Sequence, residues 1–427
     1  MYKKLLDHYD SSLTKNGVDG ERLASRLDAL SKIGLTEDNG SRRISFSPEE
    51  QQAKDLVKGW MEEAGLTVTQ DGAANVIGRL GGSSSSKTIM AGSHLDSVPN
   101  GGHFDGPLGV LAALEVAQAW KDSGFHPEKS YEVIIFTDEE GSRFNSGLTG
   151  SQAMTGQWSE EQKSSLTDAV GRTFTSVLKD NNLSFQTFHE AERDFSDIEA
   201  FVEVHIEQGK RLEKENLPTG IVEGIAGPSW LNISFHGNAG HAGNTPMDDR
   251  EDALIAAGQF ISAVENLPPL ISPSSVATVG KLDVKPNGVN VIPGEVYLTV
   301  DVRDIHEETR DKLRDSVLLL AEKIAEKRRI QVDTKEVMYV QPVQVTQNMQ
   351  QKAGRAAEEV LGKKPFFLPS GAGHDAMMIG RKTDVAMLFT RSKDGISHSP
   401  EEWSSLDDCV QTVHVLKKLI ESLSYVK

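Results

Sequence analysis

The segment "GSHLDSVPNGGHFDGPLGV", Gly92 to Val110, sets His94, Asp96, His103 and Asp105 just beyond a short apolar run. Other apolar runs end the same way: "YEVIIFTDEEG" on Asp138, Glu139 and Glu140, "AFVEVHIEQG" on His205 and Glu207, and "VAMLFTRSKDGISHSPEEW" leads to His398. Cys409 is the only cysteine, so an intrachain disulfide and a thiolate-rich zinc site are both excluded. A metal centre in this chain has to use imidazole and carboxylate, a donor set that suits Zn²⁺, Mn²⁺ or Co²⁺. Glu139 and Glu140 are adjacent, and neighbouring side chains on an extended backbone point apart. One of the pair is therefore suited to ligation and the other to proton transfer. Singly these signals are weak: a lone histidine at a strand end is usually a surface or hydrogen-bonded residue, "TDEEG" reads as a solvated acidic loop, and "GHFDG" as a glycine-rich turn. Their joint occurrence carries the argument.

The elements that must position these residues follow from periodicity. "SPEEQQAKDLVKGWMEEAG" reads as a helix, with Ser47 as N-cap, Pro48 at the first helical position, Glu50 three residues after the cap and a stop at Gly65. "KTIMAGSHLDS" and "YEVIIFTDEEG" read as strands flanking the helical "PLGVLAALEVAQAWKDSG", and strand–helix–strand implies a parallel pair. In open α/β sheets ligands bind beyond the carboxyl ends of the strands, where these polar residues fall. From about Ile221 the pattern becomes strand to Phe235, helix 250–267, strand 276–283, strand 296–304, helix 307–327 and strand 330–337. That β-α-β-β-α-β order fits a ferredoxin-like domain. The first of its helices carries Ala253, Leu254, Ala257, Phe260 and Ile261 as an apolar set expected to cover the sheet. The chain is thus expected to be an α/β protein: a large doubly wound domain from residues 1–220 and 338–427, with a smaller α+β domain, 221–337, inserted in it.

A length of 427 residues suits more than one domain. The net charge of −18 argues against nucleic acid or an anionic membrane surface as partner, since both need a basic face. No apolar run approaches the length of about 20 residues that crosses a bilayer, and the N-terminus "MYKKLLDHYD" lacks a signal-peptide core, so a cytoplasmic location is expected.

The blocks "GSHLDSVPNGGHFDGPLGV", "FTDEEGSRF", "VEVHIEQG", "GHAGNTPM", "GVNVIPGEV", "DVRD", "SGAGHDA" and "DGISHSPEEW" together resemble the dinuclear zinc amidohydrolases related to aminoacylases and carboxypeptidase G. Within that family the chain is most similar to the N-carbamoyl-L-amino-acid hydrolases, with allantoate amidohydrolase a near relative and β-ureidopropionase a third candidate. The resemblance implies a large metallopeptidase-like catalytic domain and an inserted domain that acts as lid and dimerises two chains into a homodimer. It implies two divalent ions per subunit, Zn or alternatively Mn, Co or Ni. His94 and His205 would hold one, Glu140 and His398 the other, and Asp105 would bridge them. Asp96 would accept the second N–H of His94, and Glu139 would be the general base. His241 would polarise the scissile carbonyl, from the neighbouring subunit, and Asn290 and Arg303 would receive the carboxylate of a small-molecule substrate. Gln208, Gly373 and His374 would orient that substrate. Without the resemblance Arg303 reads equally well as a strand-surface partner of Asp301 or Asp304. A non-catalytic metal-dependent binding protein on the same fold would be marked by loss of the base or of a ligand, and every one of these residues is present.

Overall fold

The computed structural model describes residues 1–425. The chain divides into two compact units, one made of Met1–Val222, Val345–Leu368 and the chain from His374, the other of Glu223–Gln344 with Pro369–Gly373.

The larger unit is built on a mixed sheet. Its strands run in the order Thr67–Gln70, Val76–Leu80, Ser130–Phe136, Thr88–His94, Ile198–Ile206, Asp384–Thr390 and Thr219–Ile225. Four neighbours at its centre are parallel: 130–136 with 88–94, 88–94 with 198–206, and 198–206 with 384–390. Every residue of Thr88–His94 and of Ser130–Phe136 is buried. Uninterrupted apolar runs of this kind need cover on both faces, which is why these segments do not alternate. The Pro107–Ser123 helix packs on the 88–94 and 198–206 strands and stops at Gly124, whose φ of 69° is a left-handed cap that glycine adopts at little cost. The Pro48–Glu63 helix starts as expected, Ser47 accepting the Glu50 N–H. Glu50, however, turns its carboxylate to the Phe46 N–H at 2.6 Å and to Lys54 at 2.6 Å, so the reciprocal bond to the cap residue is not made.

The smaller unit is a four-stranded antiparallel sheet in the order Gln331–Tyr339, Gly227–His236, Glu295–Asp304, Val276–Lys285. Its two long helices are Ala253–Val264 and Glu307–Arg328. Alternation along Glu295–Asp304 is strict: Val296, Leu298, Val300 and Val302 are buried, and they meet Phe260, Leu313, Val317 and Ala321 of the helices. Phe235 and Phe260 pack edge to face at 5.7 Å. The helical stripe is Ala253, Ala256, Ala257, Phe260 and Val264, at the i, i+3, i+4, i+7 spacing. Leu254, expected on the sheet side, is instead 36% exposed, because one residue past Ala253 the helix has turned about 100° away. The unit continues beyond Val337, since its last long strand runs to Tyr339 and the chain remains in it to Gln344.

Candidate metal centre

The parallel strands deliver their polar ends to one edge of the sheet. His94 is the last residue of its strand, Glu139 and Glu140 follow Phe136, His205 is the penultimate residue of Ile198–Ile206, and His398 lies in the loop after Thr390. Asp105 precedes the Pro107–Ser123 helix.

Two groups of potential ligands result. Donor atoms of His94, Asp105 and His205 lie within 4.8 Å of one another, as do those of Asp105, Glu140 and His398. Asp105 belongs to both and divides its oxygens between them. Its Oδ1 is 2.9 Å from His205 Nε2 and 3.6 Å from His94 Nε2, whereas Oδ2 is 3.4 Å from His398 Nε2. His398 Nε2 is 3.5 Å from Glu140 Oε2. The two buried imidazoles are fixed from behind. His94 Nδ1 is 3.1 Å from the Asp96 carbonyl oxygen and His205 Nδ1 is 2.9 Å from that of Ile206. A carbonyl accepts only, so each Nδ1 carries a proton and each Nε2 is the nitrogen turned into the site. His94 Nε2 is a buried atom with no hydrogen-bond partner, as an unengaged ligand nitrogen would be. Gly106 is required beside it: a Cβ there would stand 2.5 Å from the His94 ring, on a backbone with φ of 80°.

Asp96 works differently from expectation. Its carbonyl takes the His94 N–H, its carboxylate standing farther off at 3.6 Å, and that carboxylate accepts the backbone N–H groups of Glu139 at 3.2 Å and Glu140 at 3.1 Å. It therefore fixes the turn that presents the two glutamates. Asp138 before them has φ of 58°, a strained conformation held by the Thr149 hydroxyl at 2.6 Å and by Ser45. Glu139 stays outside both donor groups, with Oε2 3.7 Å from His94 Nε2.

The charge balance of this pocket calls for cations. Burial pushes Glu139 well above the usual carboxylate range, outweighing His94, and burial together with Asp105 pushes Glu140 to about 7. Burial opposes a charge on His94, but Glu139 and Asp105 overcome it and hold the ring well above its ordinary value. His398 is raised to about 9, first by its hydrogen bond to Asp105. Protons here occupy positions where dications would sit, and the set of neutral imidazole nitrogens and carboxylates they would leave matches the preference of Zn²⁺ and its neighbours. The residues present fit a metal.

Of the other residues singled out, Gln208 donates from Nε2 to Asp105 Oδ2 at 2.8 Å. His374 is buried, its ring 4.4 Å from that of His205, and burial and His205 keep it well below its ordinary pKa, hence neutral. His241, Asn290, Arg303 and Gly373 lie in the smaller unit. His241 sits in a two-residue strand pairing with Val291, and its Nδ1 accepts the N–H groups of Gly243 and Asn244 at 3.1 and 3.2 Å, which leaves the proton on Nε2. The side chain of Asn290 is exposed, and its carbonyl accepts the Ala242 N–H. Arg303 grips Asp301, with Nη2 2.8 Å from Oδ2, and donates from Nη1 to the Gly371 carbonyl at 2.7 Å. Sequence reasoning passed over three buried acids around the centre. Glu203 takes the Ser93 hydroxyl and the Ala376 N–H, Asp375 is wholly buried, and Glu402 bonds the loop of Asp105. Glu402 stands in the quoted "SPEEW" block, and its two-residue acidic run before an aromatic was the one available signal.

The sequence profile described as peptidase family M20/M25/M40 matches residues 90–422. The chain belongs to this family. It is 43% identical over 408 residues to the N-carbamoyl-L-amino acid amidohydrolase of Geobacillus stearothermophilus, covering 95% of this chain and 99% of that protein. It is 35% identical to the allantoate amidohydrolase of Bacillus subtilis, over 93% of this chain and 96% of that one. The crystal structure of an amidase of the hydantoinase/carbamoylase family from Burkholderia multivorans superposes with a TM-score of 0.88 at 34% identity, covering 95% of this chain and 98% of that chain. Membership accounts for the mixed central sheet and the four-stranded second unit. Among the described residues no helix is long and apolar enough to cross a membrane.

Proposed function

We propose that this family member hydrolyses a ureido C–N bond of N-carbamoyl-L-amino acids, releasing the L-amino acid, CO2 and NH3. The observation that carries the reading is the division of Asp105 between two donor groups with Glu139 beside but outside them. The identity to an N-carbamoyl-L-amino acid amidohydrolase over nearly the whole chain supports the substrate class.

In this reading His94, His205 and Asp105 hold one divalent ion and Asp105, Glu140 and His398 a second, with Zn, Mn, Co or Ni as candidates. Two such ions, when bound, supply Lewis acidity and lower the pKa of a shared water. Glu139 takes the proton from the attacking water and returns it to the departing nitrogen, so that addition at the ureido carbon and loss of nitrogen balance; the carbamate left then loses CO2. His241 donates its Nε2 proton to the carbonyl oxygen as that atom gains charge, an arrangement its two Nδ1 bonds favour. Arg303 and Asn290 receive the substrate carboxylate, and Gln208, Gly373 and His374 orient the rest. Asp301 holds the Arg303 guanidinium before substrate arrives.

The chain acts as a homodimer through residues 221–337, His241 serving the partner's site. The Val276–Lys285 strand is a sheet edge, and Leu254, Ile255 and Val276 are exposed near it, a combination that favours burial against a second copy. Presence of Glu139 and all five ligands weighs against a binding protein without turnover. Allantoate is the second reading, since an allantoate amidohydrolase is also a relative. A panel of N-carbamoyl-L- and D-amino acids, allantoate and N-carbamoyl-β-alanine, each with and without a chelator, tests the assignment. Chelator-sensitive turnover greatest on the N-carbamoyl-L-amino acids is expected; preference for allantoate or N-carbamoyl-β-alanine, or no turnover, overturns it.

A further inference from the structure

We infer that Glu402 is a positioning residue for the second metal group, acting as a clasp between the loop of Asp105 and the loop of His398; the inference rests on the metal assignment above. Glu402 is buried, 3% exposed, and its two oxygens do separate things. Oε1 accepts the backbone N–H of Phe104 at 2.9 Å and of Asp105 at 3.1 Å. Oε2 is 2.9 Å from the hydroxyl of Ser397, the residue before His398. That hydroxyl is also 3.0 Å from Asp105 Oδ2, the oxygen that faces His398. One carboxylate thus sets the backbone of the shared ligand directly, and it holds Ser397 against that ligand's carboxyl group, the single hydroxyl proton serving one of the two carboxylates at a time.

The two donor groups depend on this clasp unequally. His94 and His205 stand on parallel strands that are buried save for Glu199, and they are braced by backbone carbonyls. His398 is 50% exposed, on a loop, with φ of 55°. Among the described residues no backbone carbonyl braces its ring, so its distance from Asp105 depends on what ties the two loops together. The edge contact of Phe104 with Trp403, ring centroids 5.4 Å apart, reinforces the tie one residue away from each end. Gly102 supplies an independent sign that the fit is close. A Cβ at that position would stand 2.0 Å from the Glu402 carboxyl carbon and from Oε1, so only glycine lets the carboxylate reach the Phe104 and Asp105 amides.

The test measures metal, not turnover. Apoprotein of the wild type, Glu402→Ala, Glu402→Gln, Gly102→Ala and the Gly102→Ala/Glu402→Ala pair is titrated with Mn²⁺ by calorimetry, and thermal unfolding of each metal-free protein is recorded. Glu402→Ala is expected to weaken one of two Mn²⁺ sites by about tenfold or more and leave the other near wild type, the scale of losses when a group orienting a ligand is removed. Glu402→Gln should stay within about threefold, because its amide oxygen still accepts both N–H groups and its NH₂ donates to Ser397. Gly102→Ala should mimic Glu402→Ala, and the pair should be no worse than Glu402→Ala alone. Two undisturbed sites in Glu402→Ala, equal weakening of both in step with lower stability, or a Gln variant as damaged as Ala would each overturn the clasp. If Glu402→Ala does not fold, the Gln and Gly102→Ala variants decide. Failure of the wild type to turn over N-carbamoyl amino acids would refute the substrate assignment and leave this result standing.

Discussion

Replacing Glu139 by Gln isolates proton transfer from metal binding. Glu139 belongs to neither donor group, and its backbone is held through the Asp96 carboxylate by a bond that the substitution does not touch. The amide has the same volume, so no cavity opens. Burial already pushes the Glu139 carboxyl well above its ordinary range, so the pocket disfavours a charge on this side chain. An uncharged amide therefore costs little stability, and the metal-free variant should unfold near the wild-type temperature. In the proposed mechanism what is lost is the acceptor for the water proton. General-base contributions of about 10²–10⁴-fold correspond to about 2.7–5.4 kcal/mol of barrier, at about 1.36 kcal/mol per decade. We expect kcat on N-carbamoyl-L-methionine to fall by at least about 100-fold while metal content by elemental analysis stays at the wild-type value. Glu139→Asp, which keeps the acid but withdraws it by one methylene, should fall between the two. A metal-replete Glu139→Gln protein with kcat within about threefold of wild type would refute the role, because no group of that reach could replace a base on this scale.

Asp105→Ala should lose both metals and His398→Ala mainly one, since only Asp105 faces both groups; equal losses by elemental analysis would contradict a shared ligand. Arg303→Lys keeps the charge but not the planar fork, and should raise KM for the carboxylate substrate about tenfold or more with a smaller change in kcat. A carboxamide analogue of the substrate should show no such difference between the two proteins, and equal sensitivity would remove Arg303 from carboxylate recognition. His241→Ala mixed with Glu139→Gln under subunit exchange should recover activity toward half per exchanged dimer if His241 serves the partner. Exchange verified by mass with no recovery would place His241 in its own chain's site.

How far the sequence could be read depends on which physical rule each residue obeys. Strict alternation in Glu295–Asp304 and the apolar runs at Thr88–His94 and Ser130–Phe136 announce their environment, because burial of one face or of both selects side chains directly. That His94, Asp105, Glu140, His205 and His398 gather at one edge was legible for a related reason, since strand ends in a parallel sheet share an edge, whereas picking these five from the polar residues there came from the family resemblance. Glu402 was not legible, since its partners Phe104 and Asp105 lie almost 300 positions away and contribute only main-chain N–H groups, which every residue but proline has. Leu254 was misplaced because the helix phase is set by packing against the sheet, which composition alone does not give.

The tautomers of the two buried histidines show where this limit lies. Their type says that a nitrogen can bind a metal, and their position says that the ring reaches the site. Which nitrogen faces inward is decided by the Asp96 and Ile206 carbonyls, and those oxygens would be present with any side chain at either position. A substitution at Asp96 should therefore leave the His94 tautomer intact while loosening the Glu139–Glu140 turn, the reverse of what the spacing of the "SHLD" block implies. Chemical shifts of the imidazole nitrogens in metal-free Asp96→Ala, recorded above the raised pKa of His94 where the ring is neutral, distinguish the two, the wild-type Nδ1–H pattern being expected to persist. A switch to the Nε2–H form would show that the carboxylate, and not the main chain, sets the ligand's orientation.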